Sequence, residues 1–151
     1  MPKDGIDNII PPRNKPKNDI GYFEILTKAV FQAGFSWKTV EKKWPGFEEI
    51  FDGFDPLKIS KWGDGNILRA LESPKIIRNP KKIEATVYNA QSFIDTVEEH
   101  GSFENYISSI RDEEYVDKTK MLSKKFKWLG KTGAFFFFLS INEEVPDWAH
   151  R

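Results

Sequence analysis

The chain has 151 residues and no cysteine, so disulfides and thiolate metal sites are excluded. Basic and acidic residues both number 23, so the net charge does not by itself indicate a nucleic-acid ligand. No stretch approaches the roughly 18 apolar residues of a membrane span, and the first ten residues lack the apolar core of a signal peptide. These features predict a cytoplasmic protein without a membrane partner, large enough to bury its own core.

The beginning of the chain differs in composition from the rest. Residues 1–18 contain four prolines and alternating charges, which predicts an extended arm. Residues 19–151 carry repeated helical signals and are predicted to form a single domain. Asp19 is predicted to cap the first helix, which runs to about Ala33 and ends at Gly34.

Short helices are predicted in the next part of the chain. Ser36 is expected to cap a second helix that ends before Pro45, since proline removes a backbone donor. A third short helix is predicted over residues 47–51. The Asp55–Pro56 pair predicts the cap and first turn of a fourth helix, and a fifth is expected near residues 66–71.

The clearest helix follows, with a signal at each end. Asn79 is a cap residue, Pro80 suits the first helical position, and Gly101 marks the end. Ser102 is then expected to cap another short helix. No alternating strand pattern competes with these signals, so the predicted fold class is all-α, a compact helical domain.

A lysine-rich helical hairpin is predicted near the end of the chain, over residues 121–141. Six lysines and no acid lie between Lys118 and Lys131. The unpaired amides and positive dipole of the helix that follows Gly130 suit a phosphate, and nearby lysines add attraction to a DNA backbone. An ordinary glycine turn with a solvated lysine face is the alternative. The candidate DNA-binding residues are Lys124, Lys125, Lys127, Gly130, Lys131, Thr132 and Gly133. Gly133 is also expected to allow close packing of the two hairpin helices.

Four consecutive phenylalanines occupy positions 135–138. On a helix they point in all directions, so this segment is expected to be buried nearly all round. We therefore interpret them as core residues and not as a stacking surface for bases.

Four segments in register resemble one known family. They are FQAGFSWKTV (residues 31–40), FDPLKIS (54–60), KIIRNPKKIEATVYNAQSF (75–93) and LSKKFKWLGKTGAFFFFLSI (122–141). Each is similar to a motif of the DNA-3-methyladenine glycosylase I family, which belongs to the helix-hairpin-helix DNA glycosylases. The resemblance covers roughly residues 20 to 150. It implies a helical glycosylase fold and a partner that is double-stranded DNA with a damaged base.

The resemblance also implies which residues form the base-binding site. Trp37 matches the family's stacking tryptophan, and Gln32 and Phe35 match its neighbours. Phe35 lies where an apolar side chain would fill the gap left in the duplex. From the local pattern alone, Trp37 would instead be a core residue just past a helix cap.

A catalytic carboxylate is harder to assign. Asp147 is the candidate, because many helix-hairpin-helix glycosylases place an aspartate about twenty residues beyond the hairpin glycine, and Asp147 lies seventeen beyond Gly130. Its alternative interpretation is a surface or capping carboxylate. Glu24 and Glu41 are expected to be solvated helix residues.

The chain departs from the family in three respects. The family's N-terminal region, which brings aromatic pocket residues, is replaced here by the proline-rich arm. Family members carry zinc bound by cysteines and histidines, whereas this chain has only His100 and His150, so we expect no metal and no other cofactor. The family also has an acidic residue eight positions before the motif tryptophan, where this chain has Ala29.

Three functions follow as hypotheses. The first is a monomeric DNA repair glycosylase that hydrolyses the N-glycosidic bond of an alkylated base of the 3-methyladenine type. The second is a DNA-binding relative without excision activity. The third is a helical protein-interaction domain, which predicts no DNA binding even at low salt.

Overall fold

The computed structural model describes residues 11–33 and 35–151, and that part of the chain contains helices and no strand. The predicted all-α fold is confirmed. Residues 1–10 of the predicted arm, and Gly34 as a helix end, lie outside the described residues. The helices are α1 (Asp19–Gln32), α2 (Trp37–Ile50), α3 (Pro56–Ile59), α4 (Asp64–Glu72), α5 (Pro80–His100), α6 (Phe103–Ile110), α7 (Tyr115–Lys125) and α8 (Lys131–Ser140), with short 3₁₀ turns at Asp52–Phe54 and Trp148–His150.

Local capping signals locate the ends of α5 and the start of α6. The Asn79 side chain accepts a hydrogen bond from the Lys82 amide, and Pro80 is the first helical residue. Gly101 ends α5 with a φ of 91°, in the region that favours glycine. The side chain of Ser102 accepts from the Asn105 amide at the start of α6. These predictions are confirmed.

The predicted cap of α1 was wrong by one residue. Asn18 is the cap, and its side chain accepts from the Gly21 amide at 2.9 Å. The Asp19 carboxylate instead accepts from the amide of Phe103, at the first position of α6, at 2.9 Å. Asp19 therefore ties the start of α1 to the start of a helix 84 residues further along the chain.

Helix α2 continues through Pro45, so the predicted break and the separate third helix were wrong. The side chains of Trp44 and Phe47, on either side of the proline, stack with ring centroids 4.7 Å apart. Phe51 follows at the end of the helix, and Phe47 and Phe51 are fully buried. Burial of these rings outweighs the single backbone hydrogen bond that the proline removes.

Helix α8 lies at the centre of the fold and packs against α1 and α7. Phe135, Phe136, Phe137 and Phe138 are each no more than 4% exposed, so the predicted core role of this run is confirmed. The helix has ten residues and is about 15 Å long at the standard rise.

In the described part of the chain, no helix has both the length and the apolar composition needed to cross a bilayer.

Candidate functional site

A cavity of about 210 Å³ opens between α1, α2 and the segment before α1. Gln32 and Trp37, predicted from the resemblance as site residues, both line it. Ala29 lies one turn before Gln32 on α1 and forms part of the same wall. The remaining lining residues are Pro11, Pro12, Asn14, Ile25, Lys28, Val40, Glu41 and Ser140. The structure thus brings α1 and the first turn of α2 together around one mostly apolar space.

The segment of residues 11–14 contributes to this cavity, which the sequence did not predict. The Asn14 amide donates to the Ser140 carbonyl at 2.7 Å, and the Arg13 guanidinium donates to the Glu143 carbonyl at 3.0 Å. These bonds hold part of the predicted arm against the end of α8. No local signal in a proline-rich stretch indicates such a contact, because the acceptors lie more than 120 residues away.

The charged groups at the cavity are paired with each other. The Lys28 ammonium lies 2.8 Å from the Glu41 carboxylate, and both residues line the cavity. The Glu41 side chain is exposed on α2, as predicted for a solvated helix residue, and it also lines the cavity. The same prediction was made for Glu24, but Glu24 is half-buried and accepts a hydrogen bond from the Trp44 indole at 2.6 Å.

Phe35 lies beside the cavity and not in its lining. Its side chain is 44% exposed, in the turn between α1 and α2. Lys82 of α5 contacts this turn: its ammonium donates to the Ala33 carbonyl at 2.8 Å and lies 5.8 Å from the Phe35 ring centroid. Lys82 is 4% exposed, and burial lowers its pKa from the usual value. A lysine at the end of α1 also complements the negative end of the helix dipole.

The hairpin turn between α7 and α8 is held by side chains from α5 and α7. Asn89 on α5 makes two hydrogen bonds to Lys127, donating to its carbonyl at 3.1 Å and accepting from its amide at 2.7 Å. Ser92 donates to the Lys125 carbonyl and Ser123 to the Leu129 carbonyl, each at 2.6 Å. Asn89 is 2% exposed. This clamp was missed at the sequence level, although Asn89 lies within a matched segment.

The lysines of the hairpin do not share one face. Lys124 and Lys127 line, with Gly130, a shallow depression of about 500 Å³. The Lys125 ammonium instead lies 5.1 Å from the Tyr106 ring centroid, against α6. Lys118 is only 6% exposed, with its ammonium 5.5 Å from the ring of Phe138. The run of six lysines therefore contributes only in part to a basic surface.

The first turn of α8 is accessible. A Cβ added at Gly130 would meet no atom within 4 Å among the described residues, so Gly130 makes no close packing contact there. Lys131 is exposed, and the Thr132 hydroxyl accepts from the Arg151 guanidinium at 3.2 Å. Arg151 adds a positive charge that the sequence analysis did not assign to this site.

Gly133 has a packing role that differs from the prediction. It is buried, and a Cβ there would lie 3.1 Å from the Leu129 side chain and 3.7 Å from the Ala29 carbonyl. The close approach is therefore to α1 and the turn, and not between the two hairpin helices. Because Ala29 lines the cavity, this contact links the hairpin helix directly to the cavity wall.

Asp147 is exposed and precedes the 3₁₀ turn Trp148–His150. It is not among the residues that line the cavity. The neighbouring Trp148 ring stacks on Phe136 with centroids 5.4 Å apart, which holds this segment on α8. The catalytic role of Asp147 stays a prediction that the cavity geometry does not support.

The residues that the structure describes do not fit a zinc site. Within residues 11–33 and 35–151, no three histidine, aspartate or glutamate side chains lie close enough to share a metal ion. His100 packs edge-on against Tyr106 with ring centroids 5.2 Å apart, and His150 is exposed. That the protein works without a metal or cofactor stays a prediction.

An all-helical domain with an apolar cavity joined through one helix to a glycine hairpin defines the helix-hairpin-helix DNA glycosylase class. The methyladenine glycosylase family pattern matches residues 14–132. The chain belongs to that family.

Individual relatives agree with the family assignment. The chain is 30% identical over 138 residues to DNA-3-methyladenine glycosylase of Haemophilus influenzae, which is 79% of this chain and 75% of the relative. It is 29% identical over 103 residues to DNA-3-methyladenine glycosylase 1 of Escherichia coli, covering 68% of this chain but only 55% of that protein. A solved structure of 3-methyladenine DNA glycosylase I from Staphylococcus aureus superposes with a TM-score of 0.78 at 25% identity, over 89% of this chain and 83% of that one.

Proposed function

We propose that this protein is a monomeric DNA glycosylase that removes an alkylated base of the 3-methyladenine type from double-stranded DNA. One observation carries the proposal: Trp37 and Gln32 meet at a cavity that α8 joins to the hairpin. Ser140, the last residue of α8, lines the cavity, and Gly130 directly precedes the first. The names of the relatives above support the same activity.

The spacing of the two sites suits one DNA strand. Helix α8 is about 15 Å long, so the hairpin lies within about 15 Å of the cavity. Along B-DNA this is the axial rise of four to five base pairs, since successive pairs are about 3.4 Å apart. The hairpin can therefore hold a phosphate close to the lesion while the damaged nucleotide enters the cavity. Phosphate contacts fix the register, and the cavity reads the base.

The chemistry requires the base to leave the stack, at a cost of a few kcal/mol. A 3-methylated adenine is cationic, so its glycosidic bond is already weakened. Attack of water on the sugar carbon breaks that bond, releases the neutral base, and yields an abasic sugar and one proton. Contact of the cation with the Trp37 face is worth about 0.5–2 kcal/mol. Gln32 supplies an amide that can hydrogen-bond the edge of the base.

Release of free base is the direct test. Purified protein is incubated with a duplex that carries 3-methyladenine, and the released base is quantified by chromatography against heat-inactivated protein. Trp37→Ala is expected to abolish or strongly reduce release while its unfolding midpoint stays close to that of the wild type. Absence of release by the wild type on a panel of alkylated duplexes would exclude the proposal.

A DNA-binding protein without excision activity is the second candidate, and Ala29 favours it. Ala29 is 3% exposed in the cavity wall, at the position where the family resemblance implies a carboxylate. The carboxylate that does line the cavity, Glu41, is paired with Lys28. This candidate predicts duplex binding that falls steeply with salt, and any released base would exclude it.

A further inference from the structure

Trp128 occupies an unusual position in the hairpin turn. Its φ is 60°, a left-handed conformation that a bulky side chain seldom adopts. Phe54 shares this feature with a φ of 62°, but its ring is fully buried, and that burial offsets the strain. The Trp128 ring is 51% exposed. The fold thus holds a large apolar ring outward in a strained backbone, without the full benefit of burial.

Side-chain hydrogen bonds on both sides of Trp128 hold the turn in this conformation. The two hydrogen bonds from Asn89 hold Lys127, the residue before Trp128. The hydroxyl of Ser123 holds the carbonyl of Leu129, the residue after it. With both neighbours fixed by side chains from α5 and α7, the direction of the Trp128 ring is set by the fold.

Aromatic and basic groups alternate around Trp128. It lines the depression of about 500 Å³ shared with Tyr88, Lys124 and Lys127, and a second depression of about 230 Å³ on the side of Lys81. The Tyr88 ring is 47% exposed, and the Lys127 ammonium lies 4.1 Å from its centroid. Glu84 is the acidic residue in the second depression. We call these two rings and three lysines the aromatic–basic face.

We infer that the aromatic–basic face binds an unpaired stretch of DNA, with a base stacked on Trp128 and phosphates beside the lysines. Exposed rings interleaved with cations are the usual means of holding single strands, because every base has a stacking face and every linkage a charge. In a duplex those faces are already covered by neighbouring bases. The inference rests on the proposed function, since the hairpin supplies the adjacent phosphate contact.

The test compares two single strands of equal charge. One is oligo(dT) of about eight nucleotides, within the usual site size, and the other has the same length but abasic sugars throughout. Both carry a fluorescent label, and anisotropy titrations with the full chain give the two affinities. Stacking of even one base should make oligo(dT) bind about tenfold more tightly than the abasic strand. Equal affinities would overturn the inference.

Two substitutions assign the preference to the ring. Trp128→Gly removes the ring and relieves the backbone strain, because glycine adopts a positive φ readily, so this variant is expected to fold. It should lose the preference for oligo(dT) and keep the affinity for the abasic strand. Leu68→Ala removes an equally exposed apolar side chain, 57% exposed on α4, and should leave both affinities unchanged. Retention of the preference in Trp128→Gly would contradict the assignment.

Other outcomes are distinguishable. If the two strands bind equally while the wild type still releases base from alkylated duplex, the inference fails and the proposed function stands. If no base is released but oligo(dT) is preferred in a Trp128-dependent manner, the proposed function fails and the inference stands. A self-association that Trp128→Gly abolishes, with no preference between the strands, would show that this face binds a second copy and would overturn the inference.

Discussion

Gly130→Ala is expected to weaken DNA binding while leaving the stability of the fold nearly unchanged. In the free protein the added methyl group meets no atom within 4 Å among the described residues, and the φ of −77° is ordinary for alanine. Alanine is a poorer helix cap than glycine, by at most about 1 kcal/mol. It also restricts the unfolded chain, which stabilises by about 0.4–1 kcal/mol. The two effects oppose each other, so the free energy of unfolding should change by less than about 1 kcal/mol.

The same methyl group should weaken DNA binding. The amides at the start of α8 have no partner within their own helix and point out from its first turn. A phosphate that reaches them must approach the backbone at Gly130, and a side chain there keeps it away. Loss of one hydrogen bond to a charged group costs about 1.5–3 kcal/mol. Duplex affinity should therefore fall roughly 10- to 150-fold.

Gly63→Ala provides a matched control. Gly63 is also a helix-cap glycine, at the start of α4, and a Cβ there would likewise meet nothing within 4 Å in the part of the chain described. Both variants are compared by urea denaturation and by anisotropy titration with an undamaged duplex at fixed salt. The two should unfold alike, and only Gly130→Ala should bind weakly. If both bind the duplex as tightly as the wild type, the hairpin is not the phosphate site.

Three further predictions concern the lysines, the cavity and alkaline stability. Lys127→Ala should lower the slope of log affinity against log salt by about one unit in duplex titrations, because Lys127 is exposed in the depression beside Gly130. Lys125→Ala should change the slope less, because Lys125 is half-buried against α6 and does not line that depression; equal slopes would contradict this division. Trp37→Ala should leave binding of undamaged duplex nearly unchanged but weaken binding of a duplex with an extruded lesion by about 1–3 kcal/mol, measured by competition; an equal loss on both duplexes would refute a base-specific role. Burial raises the pKa of Tyr106 and Tyr115 to about 12, above the value near 10 in the unfolded chain. Each tyrosine therefore contributes to the free energy of unfolding below pH 10, and this contribution is lost between pH 10 and 12 by up to about 1.4 kcal/mol per pH unit. Neither hydroxyl has a hydrogen-bond partner among the described residues, so Tyr106→Phe and Tyr115→Phe should fold normally at neutral pH. In denaturation experiments at several pH values, the free energy of unfolding of each variant should fall less steeply above pH 10 than that of the wild type; an unchanged fall would refute the assignment.

Local signals in the sequence determined several helix starts. The caps at Asn79, Ser102 and Asp55 act on amides two or three residues away, so they are visible in a short window. The run of four phenylalanines predicted a helix that is buried on every side. Four consecutive residues of a helix point in all directions, so burial of one face would leave some of the rings in water. The quoted motifs also identified Gln32 and Trp37, which the structure places at one cavity.

Contacts between distant parts of the chain were decided only by the tertiary structure. Asp19 accepts a hydrogen bond from the first amide of a helix 84 residues away, and Asn89 holds a turn 38 residues away. Helix α2 continues through Pro45 because the aromatic rings on either side of the proline are buried, and helix propensity does not predict that burial. The different surroundings of Lys125, against Tyr106 on α6, and of Lys127, against Tyr88 on α5, likewise follow from how the helices pack. Each of these depends on packing between elements, and a helical signal that reaches three or four residues carries no information about it.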